Sequence, residues 1–354
     1  MAATQSSSIV GCLLGTAVGD ALGLPYEGLS SRRGVRLVGE PDRYRFVLGR
    51  GMVSDDTEHT CLVAQALIAS AGEPDEFGRQ LARRLRWWFL GLPAGIGFAT
   101  LRAILKLWMF VPLARQGVFS AGNGPAMRSA ILGAAIDDPV RLRALVHRAT
   151  VVTHTDPKAE QGALAVALAA RHARTHPRID PDRYLRDLES LLERDEAGEL
   201  LRLVAGAVEH AKTGEPTTAY AASIGLGRGV SGYVLHTVPV AIHAWISCGG
   251  DLRRALVEVV RCGGDTDSVG AIVGGIVGAG GGREAIPDDL LRSLAEWPRS
   301  VLWMERLGLQ LGRVLKEGRT ERPSGLPVLG IAVRNLTFLV LVLLHGLRRL
   351  LPPY

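Results

Sequence analysis

Two short acidic runs hold the residues best suited to chemistry. They are Ser54-Asp55-Asp56-Thr57-Glu58 and Gly263-Gly264-Asp265-Thr266-Asp267-Ser268. Each combines a hydroxyl with two aspartates, and each opens a stretch of helical spacing. A helix N-cap needs one such oxygen-bearing residue. Two adjacent carboxylates, or two flanking a threonine after a Gly-Gly turn, exceed that need. If the runs meet in space, four carboxylates repel unless cations neutralise them. Hard divalent cations take oxygen ligands of this kind, and a pair of them makes a site that orients a substrate and activates water. The sequence has no histidine-rich or cysteine-rich cluster with zinc-ligand spacing.

Two further loops end in polar helix starts. Ala121-Gly122-Asn123-Gly124-Pro125 places proline at a first helical position after permissive glycines, and Thr153-His154-Thr155-Asp156-Pro157 places Asp156 as a cap before proline. Either could be a turn and a cap alone. Their backbone N–H groups also suit diphosphate or ribose oxygens.

The elements that must position these residues are helices. Helical patterns run over 9–24, 56–70, 76–90, 99–109, 125–136, 139–149, 157–174, 182–210, 217–224, 233–247, 251–261, 267–280, 287–295 and 299–316, and no alternating run predicts a strand. Gly11, Gly15, Gly19 and Gly23 recur every fourth residue, as do Gly270, Gly274, Gly278 and Gly282. Glycine inside a helix costs up to about 1 kcal/mol, so these stripes call for a packing reason. They predict two central, buried helices packed closely against each other or against near neighbours. A membrane reading of the stripes is opposed by Asp20 and by the acidic start of the second stretch.

With 47% apolar and 21% charged residues, the chain is globular rather than disordered. Its net charge of +6 comes mostly from scattered arginines without interleaved aromatics, so no nucleic-acid partner is expected. Cys12, Cys61, Cys248 and Cys262 form no C-x-x-C pair and read as reduced core residues. With no basic n-region ahead of the first apolar stretch, the expected location is cytoplasmic. An all-α domain over 1–318 is followed by a connector and apolar tail over 319–354. The apolar run Leu336–Leu347 holds about a dozen residues, short of the roughly 20 a bilayer span needs. It predicts an extra C-terminal helix, either packed on the domain or giving weak membrane or partner contact through 334–351.

Five segments together resemble the ADP-ribosylglycohydrolases: GCLLGTAVGDALGLPYEG at 11–28, SDDTEHT at 54–60, AGNGPAMRSAILG at 121–133, THTDP at 153–157 and CGGDTDSVGAIVGGIVGA at 262–279. The resemblance implies a compact, single-domain all-α bundle with a central binuclear site of two divalent cations, Mg²⁺ or Mn²⁺. It implies that Ser54, Asp55 and Asp56 hold metal from one side, and Asp265, Asp267 and Ser268 from the other. Glu27 would sit near the scissile bond, with Asp55 and Asp56 as further catalytic candidates. Asn123, Gly124, Thr153 and His154 would contact phosphates and ribose, and Asp20 would be a structural hydrogen-bonder. Three departures stand out. Gly95 occupies the place of an aspartate carried by arginine-specific relatives. Ala121 stands where others have a tyrosine for adenine stacking, with Phe119, Trp87, Trp88 or Tyr233 as substitutes. The apolar tail lies outside the family core.

The expected activity is hydrolysis of the glycosidic bond between ADP-ribose and a protein side chain or small acceptor, through an oxocarbenium-like transition state. The partner would be an ADP-ribosylated protein or an ADP-ribose-containing small molecule. Competing readings are a non-catalytic ADP-ribose or nucleotide sensor, a membrane-associated interaction protein acting through the tail, and a different two-metal hydrolase such as a phosphoesterase.

Overall fold

The computed structural model describes residues 4–112, 115–192 and 194–352. In chain order its helices are α1 (Gln5–Gly23), α2 (Ser31–Val38), α3 (Asp55–Ser70), α4 (Pro74–Trp88), α5 (Phe98–Trp108), α6 (Gly124–Met127), α7 (Ala130–Ala135), α8 (Pro139–Val151) and α9 (Pro157–Thr175). They continue as α10 (Pro181–Leu191), α11 (Arg194–Lys212), α12 (Thr217–Ser223), α13 (Val234–Ser247), α14 (Leu252–Cys262), α15 (Thr266–Gly281), α16 (Asp288–Ser293), α17 (Val301–Glu317) and α18 (Val328–Arg348). The fold is all-α. Its one sheet among the described residues is a two-residue antiparallel pairing of β1 (Leu29–Ser30) with β2 (Gly263–Gly264).

The glycine stripes explain the centre. α1 and α15 run antiparallel with their backbones in contact. A Cβ added at Gly11, Gly15 or Gly19 would lie 2.2, 2.1 or 2.0 Å from the carbonyl oxygen of Gly278, Gly274 or Gly270 respectively. No side chain fits at that spacing, so the cost of helical glycine is offset by a close approach that larger residues forbid. Gly282 departs from the stripe's helical role, capping α15 with φ +69°. The pairing places the end of α1 beside the start of α15, where Thr266 Oγ1 donates to Gly23 O at 2.9 Å.

Several expectations change. The helix predicted over 125–136 is two helices, because Arg128 and Ser129 leave the helical ladder and Ser129 Oγ bonds Pro125 O at 2.7 Å. The turn carries the Arg128 guanidinium fully inside. The helix predicted over 182–210 breaks at Leu192, whose backbone is extended (φ −111°, ψ 138°), while Glu193 lies outside the described residues. α2 was not foreseen. The apolar tail forms a 21-residue helix rather than a dozen-residue one, because Val328, Leu329, Ile331, Ala332 and Val333 extend it upstream.

By length and hydropathy, residues 5–26 and 328–348 could each cross a membrane. The first is 94% buried in the protein and serves as its core; the second is only 22% buried. The four cysteines are free and buried.

Candidate active site

α1 brings the two acidic runs together. Asp20, on its last turn and fully buried, accepts the Ser54 N–H at 2.9 Å, the Thr57 N–H at 3.1 Å and the Thr57 hydroxyl at 2.5 Å. Its carboxylate therefore ties the α3 N-terminus to α1, where the positive helix end favours an anion. The same end of α1 meets α15 through Thr266. Two helix starts far apart in the chain thus converge, and Ser268 Oγ donates to Asp56 Oδ2 at 3.3 Å. Ser54 Oγ donates to the same oxygen at 3.1 Å.

Asp55, Asp56, Asp265, Asp267, Ser268 and Glu27 line one cavity of about 650 Å³. Asn123, Gly124 and His154 line it as well, and so does Gly95. Asn123 Nδ2 donates to Asp265 Oδ2 at 2.6 Å and to Thr237 Oγ1 at 3.1 Å, so it orients an aspartate of the acidic cluster. Ser54 and Thr153 do not reach the cavity wall. Ser54 supports Asp56 from behind. Thr153 is fully buried, accepts from Arg128 Nη2 at 2.5 Å and bonds His154 Nδ1 at 2.8 Å. Its place is beneath the histidine rather than against a ligand.

The ring of His154 rests on the loop before α6. A Cβ at Gly122 would lie 3.1 Å from its Nε2, and one at Gly124 would lie 3.0 Å from its Cε1. Glycine at both positions leaves room for the ring. Burial, with help from the Arg128 charge, drops the imidazole to about 3, so it is neutral at physiological pH.

Of the four proposed aromatic platforms only Phe119 lines the cavity. Trp88 instead donates Nε1–H to Glu58, Trp87 packs edge-on against Trp108, and Tyr233 takes a hydrogen bond from Lys158. Two residues that sequence reasoning missed complete the wall: Phe98 and Arg102, one helical turn apart on α5, with the Arg102 guanidinium 5.7 Å from the Phe98 ring centre. An aromatic and a cation at that spacing are ordinary on a surface helix, and only the tertiary placement of α5 singles them out.

The electrostatics of the acidic wall are unfavourable without a counter-charge. Burial, then the neighbouring Asp20 and Asp55, raises Asp56 well above the usual carboxylate range; burial, then Glu27, Asp265 and Asp56, does the same to Asp267. Asp55 is raised by burial and by Asp20 and Glu58. Asp265 is raised by burial, with the Asn123 hydrogen bond opposing. Burial pushes Asp20 to about 7. Asp56 Oδ1 and Asp267 Oδ1 are buried with no hydrogen-bond partner. Such atoms are costly unless something binds them, and their hard, anionic oxygens fit divalent cations. Among the described residues no three acid, imidazole or thiol groups stand close enough to form a ready cage.

Residues 1–322 match the model of the family described as ADP-ribosylglycohydrolase. The chain belongs to the ADP-ribosylglycohydrolase family. A protein of Archaeoglobus fulgidus is 35% identical over 293 residues, spanning 80% of this chain and 90% of its own. ADP-ribosylhydrolase ARH3 of Gallus gallus is 26% identical, spanning 78% of this chain and 86% of its own. A solved structure described as an ADP-ribosylglycohydrolase-related protein complex superposes with a TM-score of 0.64 at 28% identity, covering 88% of this chain and 99% of that one. The family match ends before α18.

Proposed function

We propose that this ADP-ribosylglycohydrolase hydrolyses the glycosidic bond joining ADP-ribose to an acceptor. The observation that carries the reading is the meeting of Asp55, Asp56, Asp265, Asp267 and Glu27 on one wall of a ligand-sized cavity. Asp55, Asp56, Asp265 and Asp267, with Ser268, would hold two Mg²⁺ or Mn²⁺ ions, while Ser54 would orient Asp56 from behind. Bound there, the ions would supply charge to fix the ribose hydroxyls and acidify water.

The chain's own residues do the rest. The helix starts at α3 and α15 hold the carboxylates rigid, and Asn123 orients Asp265. Burial and the nearby Asp265 raise Glu27, while Arg349 opposes them. A carboxyl raised in this way is better suited to pass a proton to a leaving group than an ordinary carboxylate. Neutral His154 offers one hydrogen bond without a charge. Phe119 and Phe98 offer apolar faces for a base, and Arg102 offers a cation for phosphate. A carboxylate at position 95 would approach a guanidinium acceptor. Gly95 has none, and a Cβ there would already lie 3.7 Å from Asp55 Oδ1. The acceptor on this reading is uncharged and O-linked rather than arginine. The test is turnover of arginine-, serine- and O-acetyl-linked ADP-ribose with Mg²⁺ or Mn²⁺. Cleavage of an O-linked substrate in preference to the arginine one supports the reading; tight ADP-ribose binding without turnover of any substrate would make the chain a sensor instead.

A second, compatible reading concerns the outer face of α18. Leu329, Val333, Leu336, Val340, Leu343 and Leu347 recur at helical spacing and are exposed, Arg348 at the helix end is exposed, and the neighbouring Arg349 carbonyl bonds Arg33 of α2, which carries the exposed Arg32 and Arg36. An apolar stripe flanked by cations suits an anionic lipid surface. Co-sedimentation with phosphatidylserine vesicles tests it, and equal sedimentation of the wild type and a Leu336→Ser/Leu343→Ser/Leu347→Ser variant removes it.

A further inference from the structure

The buried side of α18 contacts the two backbone segments that carry the acidic wall. Near its start, Arg334 Nη2 donates to Val53 O at 2.5 Å, beside Ser54, and to Glu296 Oε1 at 2.6 Å; Glu296 Oε1 also accepts the Val53 N–H at 2.8 Å. Arg334 Nη1 reaches Glu58 Oε1 at 3.3 Å. Towards its other end, His345 Nε2 donates to Pro25 O at 2.9 Å, and Arg349 Nη1 donates to Glu27 O at 2.5 Å. The carbonyl of Arg349 in turn accepts a hydrogen bond from Arg33 on α2. The turn gripped here is tight, with Gly28 at φ +71° and its N–H on Gly264 O at 2.7 Å. A helix outside the family-matched residues thus touches the segments before Asp55 and around Glu27.

We propose that α18 is a clamp on the active site, in which Arg349 and His345 position the Pro25–Gly28 turn so that Glu27 faces the acidic wall. Arg349 is a positioning residue: its hydrogen bond goes to the backbone of Glu27, and its charge lies near the Glu27 and Asp267 carboxylates. Without it the turn would keep its bonds to Gly264 and His345 but lose its hold on the Glu27 carbonyl, and Glu27 would sample positions away from the scissile bond. The role assigned to Glu27 rests on the proposed function; the clamp itself rests on the contacts.

The test uses the full chain with Arg349→Met, Arg349→Lys and His345→Phe, each checked for unchanged melting temperature. Amide exchange over residues 24–30 reads the clamp without any substrate. It should rise about tenfold in Arg349→Met and fall back in Arg349→Lys. On the substrate the wild type turns over, kcat should fall about tenfold with KM within about twofold, because the change acts on the reacting geometry. In a Glu27→Gln background the same substitution should cost nothing further, as expected of two residues acting as one unit. Unchanged exchange overturns the clamp, and so does an equal kcat loss in both backgrounds. A wild type that cleaves no ADP-ribosyl linkage defeats the functional reading alone, and the exchange measurement still decides the clamp.

Discussion

Ser268 and Asp56, 212 residues apart in sequence, are joined by a hydrogen bond of 3.3 Å from Oγ to Oδ2. That contact is the meeting of the α3 and α15 starts, and it makes the acidic wall a single electrostatic unit. The first prediction follows. Asp267→Asn removes one like charge from the unit, so the metal-free protein should melt higher than wild type. The same variant should lose most of the stabilisation that Mg²⁺ or Mn²⁺ gives, and turnover should drop at least about a hundredfold. Thermal melts with and without cation, alongside an activity assay, check all three.

The pH dependence of stability has a definite sign. Asp20 is pushed to about 7 and Asp55, Asp56, Asp265 and Asp267 are raised, so the folded chain holds protons that the unfolded chain has released. The Asp20 contribution is fully present below the unfolded value of 3.8 and is lost as pH rises through about 7, and the raised aspartates act with the same sign. Cations replace those protons, so the cation-induced rise in melting temperature should grow as pH rises through about 7, where Asp20 ionises. His172 and His243, each lowered by burial to about 4 from 6.5, act oppositely, with stability lost as pH falls below 6.5. They are remote from the cavity and cancel in the difference with and without cation.

Backbone contact between α1 and α15 makes Gly19 intolerant of a side chain. Gly19→Ala should cost about 3 kcal/mol or more, since the new Cβ would meet the Gly270 carbonyl and both helices are buried. Gly198 on α11 has nothing within 4 Å of an added Cβ. Gly198→Ala should therefore stabilise by about 0.5–1 kcal/mol through helix propensity. Denaturant unfolding of the two variants gives opposite signs on this account.

The α18 dock depends on a buried charge network. Burial alone would raise Glu58, but Arg299 and Arg334, with the Trp88 indole, hold it below the usual range. Arg334→Met leaves Glu296 without its partner and Glu58 with one arginine fewer. The cost should be about 3–5 kcal/mol, the range for breaking one side of a buried pair. A loss below about 1 kcal/mol, the level of a surface pair, would show that the network is hydrated.

Much of the centre was legible in advance because its signals are local. The two four-residue glycine stripes predict buried helices packed closely against each other or against near neighbours, and the two acidic runs at helix starts mark a candidate site whose meeting point is implied by the family resemblance. What escaped was set by tertiary placement. Phe98 and Arg102 look like any exposed pair on a helix. Thr153 and His154 are adjacent, yet only the packing of Arg128 decides that the threonine lies beneath and the histidine faces the cavity. The break at Arg128 carries no proline or glycine at that position, and it coincides with the burial of the guanidinium. Arg334, His345 and Arg349 lie in a segment whose apolar residues dominate its pattern, and nothing near them in sequence reveals that they reach Val53, Pro25 and Glu27.

Anomalous diffraction from crystals of the full chain grown with Mn²⁺ shows whether the two acidic runs share a pair of cations. Two manganese peaks are expected in the cavity, contacting carboxylates from both the Asp55–Asp56 and the Asp265–Asp267 runs. At saturating Mn²⁺, a cavity without peaks, or ions held by one run alone, would contradict a shared pair.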